Sequence, residues 1–270
     1  MAINDISLTA GMRSNLISLQ ETVSFLDRTQ DRLSSGKKVN SALDNPTNYF
    51  AAQNHMNRAT DLSTRKDGMS EGIQLATAAD EGISAINTLI ESAKGIAQAA
   101  RSADTAGRAS LATQFDGLRT QIDQLASDAG YKGRNLLDSD TLKVEFNEDG
   151  SSSLTLIGFD ASSSGLSIGA SANSWADDVD IDSALDDLEA SLLTLRSESA
   201  ALASNLSVIT TRQSFTTGMI NTLTEGADNL TLADMNEEGA NMLMLQTRQA
   251  LGTTALSLSS QAAQSVLRLF

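Results

Sequence analysis

The 270-residue chain contains no cysteine, one proline and one histidine, and aromatic residues make up only 4% of it. The absence of cysteine excludes disulfide bonds, thiol catalysis and thiolate metal sites. The single proline, Pro46, leaves most of the chain free of the residue that most strongly breaks helices. Because large aromatic side chains are scarce, we expect slender helix packing rather than a thick globular core.

Signal and membrane-spanning segments are also missing. No stretch approaches the length of a membrane-spanning helix, and residues 1–8 have neither the basic nor the apolar region of a secretory signal. We therefore expect a chain that has no membrane partner and is soluble when made, or leaves the cell without a cleaved signal peptide. The net charge is −15, and thirteen acidic residues lie between Asp138 and Glu189. No basic stripe is present to neutralise phosphates, so we expect no nucleic-acid partner.

The first predicted helix, from Asp5 to Ser35, carries an apolar stripe that nothing nearby in the sequence can cover. Its members recur at alternating steps of four and three residues, which is the seam of a coiled coil. The helix therefore needs a partner helix, and Gly36 is expected to end it in a left-handed conformation. The seam consists of Met12, Leu16, Leu19, Val23, Leu26, Gln30 and Leu33.

The C-terminal helix, predicted to begin near Leu232, has two apolar faces. The first face, which we expect to pair with the N-terminal helix, consists of Met244, Leu251, Ala255, Leu258, Ala262 and Leu269. The second face consists of Met242, Leu245, Leu256, Ala263, Leu267 and Phe270. One partner helix cannot cover both faces, and a helix that is apolar on two sides is buried on two sides. We infer that other copies of the chain, or a partner protein, cover the second face.

Between the terminal helices the sequence predicts an inner helical bundle with a small β-hairpin. Asn45 and Pro46 are expected to cap a helix that runs to about Ser102, and a second helix covers about 111–129. Alternating apolar residues predict the hairpin near 141–158, with its turn at 148–150. Residues 160–175 are interpreted as a surface loop anchored by Trp175. A fourth helix is predicted from about Ser183 to Leu223, so the fold class is mainly α with long coiled-coil helices. The helix that begins at Pro46 has a three-four seam of Ala76, Ala79, Ile83, Ile86, Ile90, Ala93, Ala97 and Ala100, and the seam of the fourth helix includes Leu188, Leu195 and Ile209.

One segment resembles a calcium loop. Residues 178–189 place acidic side chains at positions 1, 3, 5, 9 and 12 of an EF-hand-like pattern. Against calcium, Ser183 stands where the sharp turn needs glycine and no helix precedes the loop. The spacing from Ser183 to Asp186 fits a helix capping box equally well. A calcium-binding helical module therefore stays an alternative, and no metal or other cofactor is predicted.

No catalytic site is evident in the sequence. His55 is the only residue that a histidine-based triad or metal site could use, and its neighbours are those of a polar helix face. The basic pair after Gly36 is not a phosphate loop, because Asp31 stands at the required first glycine. The sequence therefore does not predict an enzyme.

Several motifs closely resemble bacterial flagellin, in particular the compact flagellins of alphaproteobacteria. At the N-terminal end these are Arg32-Leu-Ser-Ser-Gly36, the following residues 39–45 and the segment from Asp67 to Ala76. At the C-terminal end they are residues 246–252 and 265–270. The resemblance covers about 1–137 and 181–270 and implies a structural subunit of the bacterial flagellar filament used for swimming. It also implies that 1–43 and 227–270 line an inner tube and that 44–226 form an outer tube.

The resemblance further implies partners and a location. The chain would polymerise with itself, bind an export chaperone, and meet the filament cap and the hook-filament junction proteins. Export unfolded through the flagellar type III apparatus would place it outside the cell. We predict a polymerisation interface on the terminal helices, formed by Met12, Leu16, Leu19, Val23, Leu26, Leu33, Met242, Leu245, Leu251, Leu256, Leu258, Leu267 and Phe270.

A stretch that an innate immune receptor reads in many flagellins is altered in this sequence. The stretch includes Leu89, and it has Glu91 and Gly95 at the positions where many flagellins have a conserved arginine followed by a leucine. The resemblance therefore implies weak receptor recognition. The nearest alternative function is the hook-filament junction protein, which shares the terminal pattern but forms only a short ring.

Overall fold

The computed structural model describes residues 10–267, and side chains as far as residue 265. The helices are α1 (Ala10–Ser35), α2 (Pro46–Ala100), α3 (Thr105–Asp128), α4 (Asp178–Thr231) and α5 (Met235–Leu267). Two strands, β1 (Thr141–Glu145) and β2 (Ser153–Ile157), form the sheet, and a short 3-10 turn covers Ala172–Trp175. The prediction of a mainly α fold with a small hairpin is confirmed.

The chain divides into two compact units. The terminal unit consists of residues 1–57 and 223–270, and the central unit consists of residues 58–222. The division falls within α2 and α4, whereas the family resemblance implies boundaries at 43/44 and 226/227.

The core of the central unit is the apolar seam of α2 packed against α3, α4 and the hairpin. The α2 residues recur at three-four spacing and are almost completely buried: Ala76, Ala79, Ile83, Ile86, Ile90, Ala93, Ala97 and Ala100. Every one of them belongs to the stripe that the sequence predicts. Five of the eight are alanines, which lets neighbouring helices approach closely. Phe115 of α3 and Trp175 add the largest buried rings, with centroids 5.0 Å apart.

The hairpin forms where the spacing of the apolar residues changes from about 3.6 residues, as in a helix, to two residues, as in a strand. β1 and β2 are antiparallel, with Leu142 opposite Leu156 and Val144 opposite Leu154. Val144 and Leu156 are buried, and their polar neighbours along the strands face outward. The turn includes Gly150 at φ +71°, a conformation that glycine adopts without strain.

The interpretation of residues 160–175 as a surface loop is wrong for most of its apolar residues. Ala161, Leu166 and Ile168 are buried in the core together with Trp175. The segment is tied to α3, since Arg119 Nε donates to the carbonyl of Ile168 at 3.0 Å and Asp123 accepts from the Ser163 amide at 2.7 Å. Its apolar residues have no regular spacing, so the sequence pattern does not reveal their burial.

The predicted ends of α4 and the predicted start of α5 are also wrong. α4 begins at Asp178, five residues before Ser183, and the acids of its first turn favour a helix N-terminus. It also continues through Gly226 to Thr231. α5 then begins at Met235, where the Asp234 carboxylate accepts from the backbone amides of the next turn, at 2.9 Å from Asn236. This cap explains why the helix starts three residues later than predicted.

Lysine–carboxylate pairs on the surface of the central unit give its stability a pH dependence. A hydrogen bond from Lys132 lowers the pKa of Glu71 below its ordinary 4.5, and the bond from Lys94 does the same for Glu189. The same bonds raise the pKa of both lysines above 10.5. A carboxyl group whose pKa is lowered by folding stabilises the fold at pH values above its unfolded pKa, and this stabilisation is lost on acidification. A lysine whose pKa is raised by folding stabilises the fold at pH values below its unfolded pKa, and this stabilisation is lost in alkali.

We therefore expect the melting temperature of the folded chain to be flat near neutral pH, to fall below about pH 4.5 and to fall again above about pH 10.5. Thermal melts followed by circular dichroism across this range measure it. The variant Glu71→Gln should weaken the acid dependence. A melting temperature that rises on acidification would contradict these assignments.

Candidate polymerisation surface

The helices α1 and α5 pack against each other in antiparallel orientation. At the C-terminal end of α1, Arg32 Nη1 lies 2.8 Å from Glu238 Oε1, near the start of α5. Further along, Leu19 Cδ1 lies 3.1 Å from where a Cβ on Gly252 would stand, so the helices are in close contact there. Glu238 is buried, so the Arg32 pair compensates a charge that would be costly to bury alone.

The connections at the end of this helix pair join through backbone hydrogen bonds. Gly36 has φ +71°, as expected of the left-handed residue that ends α1. The Lys38 amide donates to the carbonyl of Thr231 at 2.7 Å, and the Ala233 amide donates to the carbonyl of Gly36 at 3.0 Å. The predicted cap of α2 is also present, since Asn45 Oδ1 accepts from the Asn48 amide at 3.1 Å. These bonds fix the ends of α1 and α5 side by side.

The predicted seam of α1 is present but incomplete. Met12 is buried, Leu16, Leu19, Val23, Leu26 and Leu33 are half-buried, and Gln30 is exposed. Sequence reasoning missed Thr22 and Thr29, which are more buried than the leucines beside them. The Thr22 hydroxyl donates to the Ser18 carbonyl at 2.7 Å, which satisfies it inside the seam. Thr22 and Thr29 are seven residues apart, which is the repeat of a coiled-coil seam, so their spacing in the sequence could have revealed their burial.

The face of α5 that packs against α1 is the opposite of the one expected. Leu245 is buried and Met242 and Leu256 are half-buried, in line with Glu238 and Gly252 on the α1 side. These three residues belong to the predicted second face. The assignment of the first face to the N-terminal helix is therefore wrong. Gly252 favours this packing, because a residue without a side chain lets Leu19 approach closely.

The first face of α5 is instead exposed on this chain. We call its described members the outer stripe; they are Met244, Leu251, Ala255, Leu258 and Ala262, and all five are exposed. Leu251 is 66% exposed and Leu258 is 61% exposed. Residues 244, 251 and 258 recur at intervals of seven, so they lie on one side of the helix. Leu269 and Phe270 lie outside the described residues, as does the side chain of Leu267.

The outer stripe borders an open groove between α1 and α5. The groove has a volume of about 250 Å³ and is lined on the α5 side by Arg248, Leu251, Gly252 and Ala255. Ser18, Leu19 and Thr22 are among its lining residues on α1. An exposed apolar row beside a shallow groove has the form of a protein contact surface, since isolated monomers rarely leave such rows in water.

The altered receptor stretch lies on α2 in the central unit. Glu91 and Gly95 are exposed and Leu89 is half-buried. Glu91 therefore presents a negative charge to solvent on this face of the helix.

The calcium loop does not form. Residues 178–189 are the first turns of α4, so they cannot adopt the twelve-residue loop that an EF-hand requires. Asp178 pairs with Arg108 at 2.6 Å, Asp182 pairs with Arg101, and Glu189 pairs with Lys94 at 2.8 Å. Within the described residues no cluster of histidine and acidic side chains has the arrangement of a metal site. His55 lies half-buried on α2, near Gly226.

Comparison with known proteins finds similarity to bacterial flagellins. The family profile of the bacterial flagellin N-terminal helical region matches residues 3–141. Flagellin FljM of Caulobacter vibrioides is 31% identical over the full length of both chains. The flagellin of Brucella melitensis is 29% identical, covering 99% of this chain and 97% of the relative. The crystal structure of Bacillus cereus flagellin is similar with a TM-score of 0.49 and 17% identity, covering 55% of this chain and 88% of that one.

The family assignment rests on the sequence matches, which extend over both terminal regions and the centre. No helix among the described residues is long and apolar enough to cross a membrane. The chain belongs to the bacterial flagellin family, the structural proteins of the flagellar filament.

Proposed function

We propose that this chain polymerises into the extracellular flagellar filament through the outer stripe of α5, which faces a neighbouring copy. The observation that carries the proposal is the exposure of Leu251 and Leu258 on a helix whose other apolar face is already covered by α1. Burying a leucine side chain fully contributes about 1.5–3 kcal/mol. Because every copy repeats the contact, a modest gain per residue is multiplied along the polymer.

The predicted interface residues then fall into two groups. Leu251 and Leu258 contact another copy directly. The α1 seam, together with Met242, Leu245 and Leu256, holds α1 and α5 together and so presents the stripe in one orientation. Replacing a residue of the second group would weaken polymerisation indirectly, by loosening the packing of α1 against α5. Replacing Leu251 or Leu258 would weaken the contact between neighbouring copies directly.

We also propose the partners that the family resemblance implies. An export chaperone would cover the outer stripe before secretion, since that surface would otherwise associate in the cell. Secretion through the flagellar type III apparatus without a cleaved signal would precede assembly beneath the filament cap and onto the junction proteins. Catalysis and cofactors have no part in this proposal.

Seeded growth tests the proposal. Purified chain added to short filament fragments should extend them into long tubes in the electron microscope, and a variant lacking residues 234–270 should not. The deletion removes α5, so its failure to grow would show that assembly depends on this helix. Rings that stop after one turn would favour the hook-filament junction function instead, and no growth by the intact chain would refute the proposal.

The exposed Glu91 leads to a prediction on immune recognition. Because the stretch has Glu91 and Gly95 where the receptor reads other residues, purified monomer should give weak or no signal in a receptor reporter assay. The variant Glu91→Arg should increase the signal by removing a charge of the wrong sign from an exposed position. Strong signalling by the unaltered monomer would show that the receptor reads other residues.

A further inference from the structure

The central unit has an exposed acidic and apolar corner at the start of α4. We call residues 177–180 the acidic tip; they are Asp177, Asp178, Val179 and Asp180. Val179 is 76% exposed although it is an apolar side chain. Asp178 is held by Arg108 at 2.6 Å, and Asp180 accepts a hydrogen bond from Asn173 at 3.3 Å. The tip therefore presents one exposed valine with the exposed Asp177 beside it.

A groove of complementary character lies between α2, the hairpin turn and α4. We call it the Arg212 groove; it has a volume of about 230 Å³ and apolar lining from Leu62, Phe146, Phe215 and Met219. Phe215 is 60% exposed. Arg58 and Glu148, which also line the groove, form an ion pair with each other.

Arg212 gives this groove an available positive charge. Its guanidinium carbon lies 5.3 Å from the centre of the Phe146 ring and is in no ion pair with any of the described residues. Asp149, next to Glu148 in the hairpin turn, is the other carboxylate near the rim. With Arg58 and Glu148 neutralising each other, Arg212 is the cation of this groove that can accept a new acidic partner, and the exposed Phe215 lines the same groove.

The tip and the groove lie at opposite ends of the same bundle. Val179 and Phe215 are both on α4, and at 1.5 Å per residue they are about 50 Å apart along the helix. One copy therefore cannot place its own tip in its own groove. Two different surfaces that complement each other across a molecule make a head-to-tail contact, which repeats into an open polymer.

We propose that the acidic tip of one copy enters the Arg212 groove of a second copy, placing Val179 on Phe215 and Asp177 beside Arg212. This inference rests on the proposed polymerisation and adds a contact in the central unit. A second copy fits better than another partner because both halves of the contact are present on every chain. Tip-to-tip association is disfavoured, because the seven acidic residues between 177 and 189 outnumber their basic partners Lys94, Arg101 and Arg108, and two such regions would repel each other.

The absence of cysteine allows a direct test by crosslinking. A chain carrying both Val179→Cys and Phe215→Cys, assembled on seeds and treated with a short bis-maleimide, should give a ladder of covalent dimers, trimers and longer oligomers. Each single-cysteine variant should give no ladder beyond a dimer. The matched control pairs Val179→Cys with Leu193→Cys, another exposed apolar position on α4, and should not form the ladder. Filaments without a ladder from the Val179 and Phe215 pair would overturn the inference.

Charge exchange provides a second test that does not depend on crosslinking. Arg212→Glu alone and Asp177→Arg alone should each raise the critical concentration for seeded growth about fivefold, as expected for loss of a rim ion pair. The double variant should return it to within about twofold of the original chain, because the reversed charges meet again between copies. Circular dichroism of each monomer checks that the fold is retained.

The outcomes separate this inference from the proposed function. Normal filaments from every charge variant, with unchanged critical concentration, would overturn the head-to-tail contact and leave the role of α5 standing. Failure of the unaltered chain to grow on seeds would remove both proposals. A higher critical concentration in each single variant with rescue in the double variant supports the contact.

Discussion

Replacing Leu251 or Leu258 with glutamate is expected to abolish seeded filament growth while leaving the subunit folded. Both side chains are more than half exposed on the isolated chain, so the substitution removes little from its own packing. In the polymer the same positions would bury an unpaired carboxylate at every repeat, which costs several kcal/mol per copy. We expect the critical concentration to rise more than about a hundredfold, measured by sedimentation of polymer after seeding.

Two controls make this result specific. Leu251→Met keeps an apolar side chain of similar volume and should grow nearly as the original chain does. Leu193→Glu introduces the same charge at a leucine of the central unit that is 65% exposed, outside both proposed contacts, and should change growth little. Normal growth by Leu251→Glu and Leu258→Glu together would contradict the role of the outer stripe.

The second large effect is expected at Gly158, just after β2. A Cβ at this position would stand 2.4 Å from the backbone oxygens of both Asp140 and Leu136, which is far inside van der Waals contact. The Gly158 amide also donates to the Asp140 carbonyl at 2.8 Å, so the backbone cannot shift without losing that bond. We expect Gly158→Ala to lower the free energy of unfolding by about 2–3 kcal/mol. Urea unfolding followed by Trp175 fluorescence measures it.

Gly117 is the matched control for this substitution. It lies exposed in the interior of α3, and nothing stands within 4 Å of an added Cβ. Gly117→Ala should therefore raise the free energy of unfolding by about 0.5–1 kcal/mol, because alanine favours the helix. The same chemical change is expected to have opposite signs at the two glycines. A loss of similar size at both would mean that the close approach at Gly158 does not limit the fold.

Periodicity alone was sufficient to predict the long elements of the fold. The α2 seam through Ile83, Ile86 and Ile90 is buried as expected, and so is the α4 seam through Leu188, Leu195 and Ile209. The hairpin followed from alternation and from the turn at Gly150. These features depend on local sequence alone, because a residue's position in a regular pattern determines the face of the helix or strand on which its side chain lies.

The pairing of the terminal helices was predicted, but the choice between the two faces of α5 was not. Both faces are apolar at helical spacing, so the apolar pattern does not show which of them packs against α1. The choice depends on Glu238, which meets Arg32, and on Gly252, which admits Leu19. Both are contacts between residues more than two hundred positions apart, and neither residue is apolar enough to enter a hydrophobic pattern.

The other differences between prediction and structure have different causes. The acids at the start of α4 fit a metal loop and a helix N-terminus equally in composition. Their arginine partners, Arg101 just after α2 and Arg108 on α3, are distant in sequence. The segment around Ile168 is buried because α3 binds its backbone through Arg119 and Asp123. Side-chain to backbone bonds of this kind leave no periodic trace.

The most direct test of the central claim is a map of the assembled filament at side-chain resolution by electron cryomicroscopy. We predict that α5 of each copy lies against a neighbouring copy through the outer stripe, with Leu251 and Leu258 buried between them. α1 should lie on the other side of α5, with Arg32 paired to Glu238 of its own chain. A filament in which Leu251 and Leu258 face solvent would contradict the account.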